Sequence, residues 1–186
     1  MTKPTNYKTQ QFPRTLLVGI EAPYNRTNNI DSYFEEFLNL VKTNGTEYVD
    51  AIFVKIRSVD SSYFLTKGKL EELKELCDKE NIEHVIISEP ITAQQERNLE
   101  DYTNCTVTDR TRLILEIFEK AAVSAEGKKQ VAIAMLRHQK TRLAGKGIHL
   151  SQQEGATGVR GGPGETAKEK ARRHIENTVH KLQKQL

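Results

Sequence analysis

A chain of 186 residues and 21.2 kDa is long enough for one domain with an appendage, and buries roughly 70% of its unfolded surface. Its 37% hydrophobic and 28% charged residues leave much of it as solvated helix or loop, since globular chains usually run to about 45–50% apolar. No apolar run approaches the ~18 residues of a membrane span, residues 1–14 lack the apolar core of a secretory signal, and Cys77 and Cys105 form no C-x-x-C pair; membrane protein, disulfide scaffold and zinc finger are set aside, leaving two reduced, buried thiols in a cytoplasmic protein.

The net charge of +3 conceals a split. Residues 1–127 carry 15 Lys/Arg against 21 Asp/Glu, whereas residues 128–186 carry 13 against 4 and four of the five histidines. A balance of −6 followed by +9 predicts two units, the second facing a polyanion.

In chain order, residues 1–13 are a flexible N-terminus and residues 14–20 a strand centred on Leu16, Leu17 and Val18. Phe34, Phe37, Leu38 and Val41 fall at helical spacing over 31–43, with Gly45 where a C-cap belongs. Residues 48–56 alternate Val49, Ala51 and Phe53 and predict a second strand. A helix over 68–80 places Leu70, Leu73, Leu76 and Cys77 on one face, and Val85, Ile86 and Ile87 mark a buried third strand over 84–88. Thr92 and Gln95 form a capping box opening a helix to about residue 102. A short strand over 105–108 follows, and Asp109 starts a helix through Leu113, Ile114, Ile117 and Phe118. This alternation predicts an α/β subdomain over 14–119: a small four-stranded parallel sheet flanked by helices, joined by right-handed crossovers.

From residue 120 the pattern changes. Residues 120–144 predict one long helix, interrupted if anywhere near Gly127, with Val131, Met135, Leu136 and Leu143 on its apolar side. Seven of the eleven glycines lie in 145–164, which excludes regular structure there. Thr166 and Glu169 form a second capping box, and Ala171, Ile175, Val179, Leu182 and Leu186 make a narrow stripe on the last helix. The helical subdomain, 120–186, is therefore an antiparallel two-helix hairpin, a coiled-coil arm with a long glycine-rich tip. The stripe still runs at Leu186, as in a chain that continues.

The glycine segment holds no G-x-x-x-x-G-K-[ST] and no G-x-G-x-x-G after a strand, and Glu165 sits where an anion would bind. Cations on pliable backbone suit folded RNA better. The candidate RNA-binding residues are Arg137, Lys140, Arg142, Lys146, His149, Arg160, Arg172 and Arg173, with Gly161, Gly162 and Gly164 allowing close approach. No catalytic constellation and no metal-ligand spacing stands out. Two other readings remain open: a nucleotide-binding α/β domain using residues 57–60, 88–89 and 109–110 at the strand ends, and an interaction module dimerising through the 175–186 stripe.

Several ordered groups of residues carry a resemblance: Lys67-Gly68-Lys69-Leu70, Asp109-Arg110-Thr111, Glu126-Gly127-Lys128, Arg142-Leu143, His149-Leu150-Ser151, and above all Gly161-Gly162-Pro163-Gly164-Glu165-Thr166 followed by Arg172-Arg173. With them, residues 14–186 resemble the N-terminal domain of HflX-type ribosome-associated GTPases. The resemblance implies an α/β subdomain and helical arm that precede a P-loop GTPase domain of the same polypeptide. It further implies a cytoplasmic, monomeric protein that binds the large ribosomal subunit and splits or rescues stalled ribosomes under stress, the tip loop reaching rRNA near the peptidyl-transferase centre. With no Walker A, N-K-x-D or D-x-x-G in the sequence, GTP hydrolysis, and with it GTP and Mg²⁺, is expected of the GTPase domain and not of this chain.

Overall fold

The structure, a computed structural model, describes residues 12–25, 29–143 and 167–186. Four parallel strands, β1 (Thr15–Glu21), β2 (Asp50–Lys55), β3 (His84–Ile87) and β4 (Thr106–Thr108), form one sheet in the order β2-β1-β3-β4. The strands alternate with helices α1 (Ile30–Asn44), α2 (Lys67–Glu80), α3 (Ala93–Thr103) and α4 (Arg110–Ala121).

The central position of β1 follows from its sequence. Leu16, Val18 and Ile20 face one side and pack with Leu70, Leu73, Cys77 and Leu99 of α2 and α3. Leu17 faces the other, against Phe37 and Val41 of α1, Ile86 of β3 and Leu113 of α4. Two apolar faces need two helical layers, as parallel sheets generally do. Gly19 is required for closeness: a Cβ there would stand 2.4 Å from Cδ1 of Phe53, whose ring packs on Phe34.

Local signals set the helix ends. Gly45 (φ 72°) closes α1 with its N–H on the Lys42 carbonyl, and both bonds of the Thr92–Gln95 capping box open α3. Cys77 and Cys105 are free and buried; burial first, then the neighbouring Cys105 thiol, pushes the Cys77 thiol up to about 12.

The helix expected over 120–144 starts later, and its break from the preceding helix falls at 122–124 rather than at 119–120. Helix α4 ends at Ala121, Ala122 turns extended (φ −70°, ψ 112°), and α5 spans Ala125–Leu143. Ser124 makes the break: its Oγ accepts from the Gly127 N–H at 2.9 Å and its carbonyl from Lys128. Gly127 thus lies in the first turn of α5 rather than at the interruption. The last helix, α6 (Ala167–Gln183), packs on α5 through Ile133, Ile175 and Val179, flanked by Leu136, Leu143 and Leu182. No helix among the described residues is long and apolar enough to cross a membrane.

Candidate functional site

The sheet order reverses between β1 and β3, and doubly wound sheets bind ligands outside the carboxyl ends of the strands at such a point. In this chain the crevice is occupied by its own side chains. Glu89, 2% exposed, accepts from the Tyr24 hydroxyl (2.7 Å), Asn25 Nδ2 (2.7 Å), the Tyr33 hydroxyl and Ser88 Oγ (3.4 Å). Ser88 Oγ in turn accepts from the Ile20 N–H at 2.9 Å, and Asn25 donates to the Ile20 carbonyl and accepts from Ala22 N–H. Burial, then the bond to Glu89, raises both phenols, Tyr33 to about 12. The cluster anchors the loop after β1 to the end of β3. Both Glu89 oxygens are engaged by donors of the chain itself. Residues 57–60 serve similarly: Asp60 accepts from Ser62 and Tyr63 N–H, and its carbonyl takes Gln95 Nε2.

A second cluster joins sheet and arm. Asp109, 1% exposed, caps α4 through the Arg112 N–H (2.9 Å) and accepts from Ile91 N–H (3.3 Å). From α5, Arg142 Nη2 reaches Asp109 Oδ2 at 2.7 Å while Nη1 donates to the Ile91 carbonyl at 2.8 Å. Arg142 Nε lies 3.0 Å from Glu96 Oε2 of α3, a charge contact without hydrogen-bond alignment. His138 Nε2 stands 3.6 Å from Asp109. Burial would raise the Asp109 carboxyl, but His138, the Arg112 N–H and the Arg142 charge outweigh it and hold it below the usual range. At Glu96 burial prevails over Arg142 and its carboxyl is raised. A cavity of about 300 Å³ opens beside this joint, among Glu96, Arg112, Met135, His138, Gln139, Arg142 and Leu143.

The sequence-predicted RNA-binding residues therefore divide. Arg142, with 12% of its side chain exposed, is committed to Asp109, Glu96 and Ile91. Lys140 of α5 and Arg172 of α6 share Glu176, at 2.7 and 3.2 Å, and these bonds hold the Glu176 carboxyl below its ordinary range. Arg137, Arg172 and Arg173 are exposed. Lys146, His149, Arg160, Gly161, Gly162, Gly164 and Thr166 lie outside the described residues, and Glu169 is in the first turn of α6. Among the described residues no group of three or more His, Cys, Asp or Glu could hold a metal ion. Sequence reading missed the Asp109–Arg142–Glu96 joint. The matched Asp109-Arg110-Thr111 and Arg142-Leu143 were its only trace, and their 33-residue separation hid the pairing.

Comparison with known proteins converges on one family. Residues 31–119 match the family model for the GTP-binding GTPase N-terminal region, and residues 121–186 that for the GTP-binding GTPase middle region. The GTPase HflX of Alkalihalophilus pseudofirmus is 38% identical over 183 residues, covering 96% of this chain and 42% of that protein. GTPase HflX of Escherichia coli K12 is 40% identical over 152 residues, covering 82% and 35%. The chain thus spans about two fifths of the length of these relatives. Among solved structures, the SsGBP–GDP complex superposes with a TM-score of 0.64 at 21% identity, over 93% of this chain and 43% of that one. A GTP-binding protein of Sulfolobus solfataricus with GDP gives 0.59 at 19%, over 92% and 45%; at these identities the likeness is one of fold. The chain belongs to the HflX family of GTP-binding GTPases, of which it holds the N-terminal and middle regions.

Proposed function

We propose that this chain is the ribosome-engaging part of an HflX-type GTPase. In this reading it binds the large ribosomal subunit in the cytoplasm and takes part in splitting or rescuing stalled ribosomes. The α5–α6 arm and the glycine-rich 145–164 segment contact rRNA near the peptidyl-transferase centre. The α/β part holds the arm and faces the GTPase domain of the same polypeptide, to which GTP, Mg²⁺ and hydrolysis belong.

The observation that carries the reading is the charge split: +9 over residues 128–186 against −6 before them, with Arg137, Arg172 and Arg173 exposed on the arm. Phosphate neutralisation by such a surface supplies affinity without base readout, in line with a sequence that has no Trp. Two features weigh against the alternatives. The strand-end crevice is filled by Glu89 and its donors, and Ile175 and Val179 are buried against α5 within the chain, not free to pair with another.

The test is cosedimentation with purified large subunits. Saturable binding that falls at least about tenfold for Arg172→Glu/Arg173→Glu supports the reading. Unchanged affinity of a folded variant refutes it.

A further inference from the structure

Helix α5 doubles back along α4. The corner at 122–124 joins the two at one end, and at the other Arg142 meets Asp109, the N-cap of α4. Apolar packing does not fix α5 on the α/β part. Among the described residues neither core of that part includes a residue of α5, and Ile133, the buried residue of α5, packs with Ile175 and Val179 of α6. The direction of α5, and of the α6 it carries, thus rests on the corner and on Arg142. Arg137, Arg172 and Arg173 are exposed on these two helices, and the glycine-rich 145–164 segment begins three residues after Arg142.

We propose that Arg142 is a positioning residue for ribosome binding: its joint with Asp109, Ile91 and Glu96 sets the direction of the arm, and the large subunit binds only the arm so directed. The proposal rests on the ribosome-engaging reading above, and takes Arg142 out of the set of residues that meet phosphate.

The joint gathers three pieces of the α/β part onto one guanidinium. Nη2 meets Asp109 Oδ2 at 2.7 Å, just past β4, and Nη1 donates to the Ile91 carbonyl at 2.8 Å, between β3 and α3. Nε faces Glu96 in the first turn of α3. Two donors held by oxygens of different segments fix a plane as well as a distance, which a rigid fork can do and a single ammonium cannot. With 12% of its side chain exposed, Arg142 has little surface left for RNA. The cavity of about 300 Å³ beside it leaves that side of the joint unpacked, so directed polar contacts rather than close packing hold α5 there.

Two substitutions separate positioning from direct contact, because the two roles give different results for each. Arg142→Lys keeps the charge and the aliphatic stem but loses the fork. Asp109→Asn keeps the shape and the helix cap, since asparagine caps as well as aspartate, and removes a negative charge. If Arg142 simply neutralised a phosphate, the first would be nearly silent and the second would tighten binding to a polyanion. If it positions the arm, both loosen the joint and both weaken binding. A joint closed in about a tenth of the molecules raises the apparent Kd about tenfold. The salt slope stays the same, because the correctly directed arm still meets the same phosphates.

Cosedimentation with purified large subunits from about 50 to about 200 mM salt reads both quantities, at a temperature where circular dichroism shows every variant folded. The proposal expects Arg142→Lys and Asp109→Asn each to bind about tenfold more weakly than wild type, on log–log lines parallel to it. Either variant binding as tightly as a wild type that itself binds, or more tightly, overturns this proposal alone. So does a slope shallower by about one for Arg142→Lys, the mark of a lost phosphate contact. A wild-type chain that binds at no salt concentration overturns the ribosome-engaging reading, and this proposal with it.

Discussion

Replacing Arg142 tests whether it is a buried fastener or a free cation. In Arg142→Met the aliphatic stem survives, but Asp109, 1% exposed, loses its 2.7 Å guanidinium partner, and the Ile91 carbonyl loses its 2.8 Å donor. Removing one member of a buried ion pair costs about 3–5 kcal/mol, because the survivor is left charged and desolvated. Asp109 keeps the Arg112 and Ile91 N–H groups, so the lower end, about 3 kcal/mol, is expected. For a chain of this length that is a fall in Tm of roughly 6–12 °C, read by circular dichroism at 222 nm. An exposed arginine reserved for RNA would cost within about 0.5 kcal/mol, and a shift that small would refute the assignment.

The pH dependence sharpens the test. The folded carboxyl of Asp109 is depressed, so its stabilisation is present above the unfolded value of about 3.9 and fades as pH falls through the lower folded value. The Glu96 carboxyl is raised, so its contribution is present below the unfolded value of about 4.3 and is lost as pH rises through the folded one. Asp109→Asn should therefore destabilise most at neutral pH and converge on wild type in acid, whereas Glu96→Gln should cost little at pH 7. Matching pH profiles for the two would contradict this.

Three further substitutions or reagents probe other layers. Gly19→Ala places a methyl 2.4 Å from the Phe53 ring and should cost about 1–3 kcal/mol by overpacking; a neutral result in urea unfolding would mean that Phe53 moves freely. Ile175→Ala removes the centre of the α5–α6 seam and should cost about 2–4 kcal/mol, lost chiefly as arm helicity while the α/β part keeps its own core. Cys77, buried and with its thiol up at about 12, should react with a maleimide at pH 7 only as fast as the fold opens. Labelling as fast as that of a free thiol would contradict its burial.

How much could be read beforehand depended on range. The Gly45 cap and the Thr92–Gln95 box were legible because their determinants lie within four residues, and β1 because its unbroken apolar run demands cover on both faces. The place of the break between α4 and α5 was not: it was expected at 119–120 and falls at 122–124. Ala122-Val123-Ser124 contains neither Gly nor Pro; α4 stops where it leaves α1, and Ser124 restarts the chain in a new direction. Val123, 89% exposed, marks the corner. The partners of Arg142 were hidden for a similar reason. A charge count over 128–186 sees a cation but not the buried aspartate that waits for it at the end of β4. The edge position of β2 depends on strand order, which no local pattern encodes.

The central claim is that the exposed arginines of the arm, unlike Arg142, meet phosphate. It is tested most directly by the salt dependence of binding to large ribosomal subunits, measured from about 50 to about 200 mM for wild type and for Arg137→Gln/Arg172→Gln/Arg173→Gln. The account predicts steep, saturable binding in the wild type and a log–log slope shallower by about two to three in the triple variant. Binding of equal slope and strength in the two proteins, both fully folded, would place recognition elsewhere and contradict it.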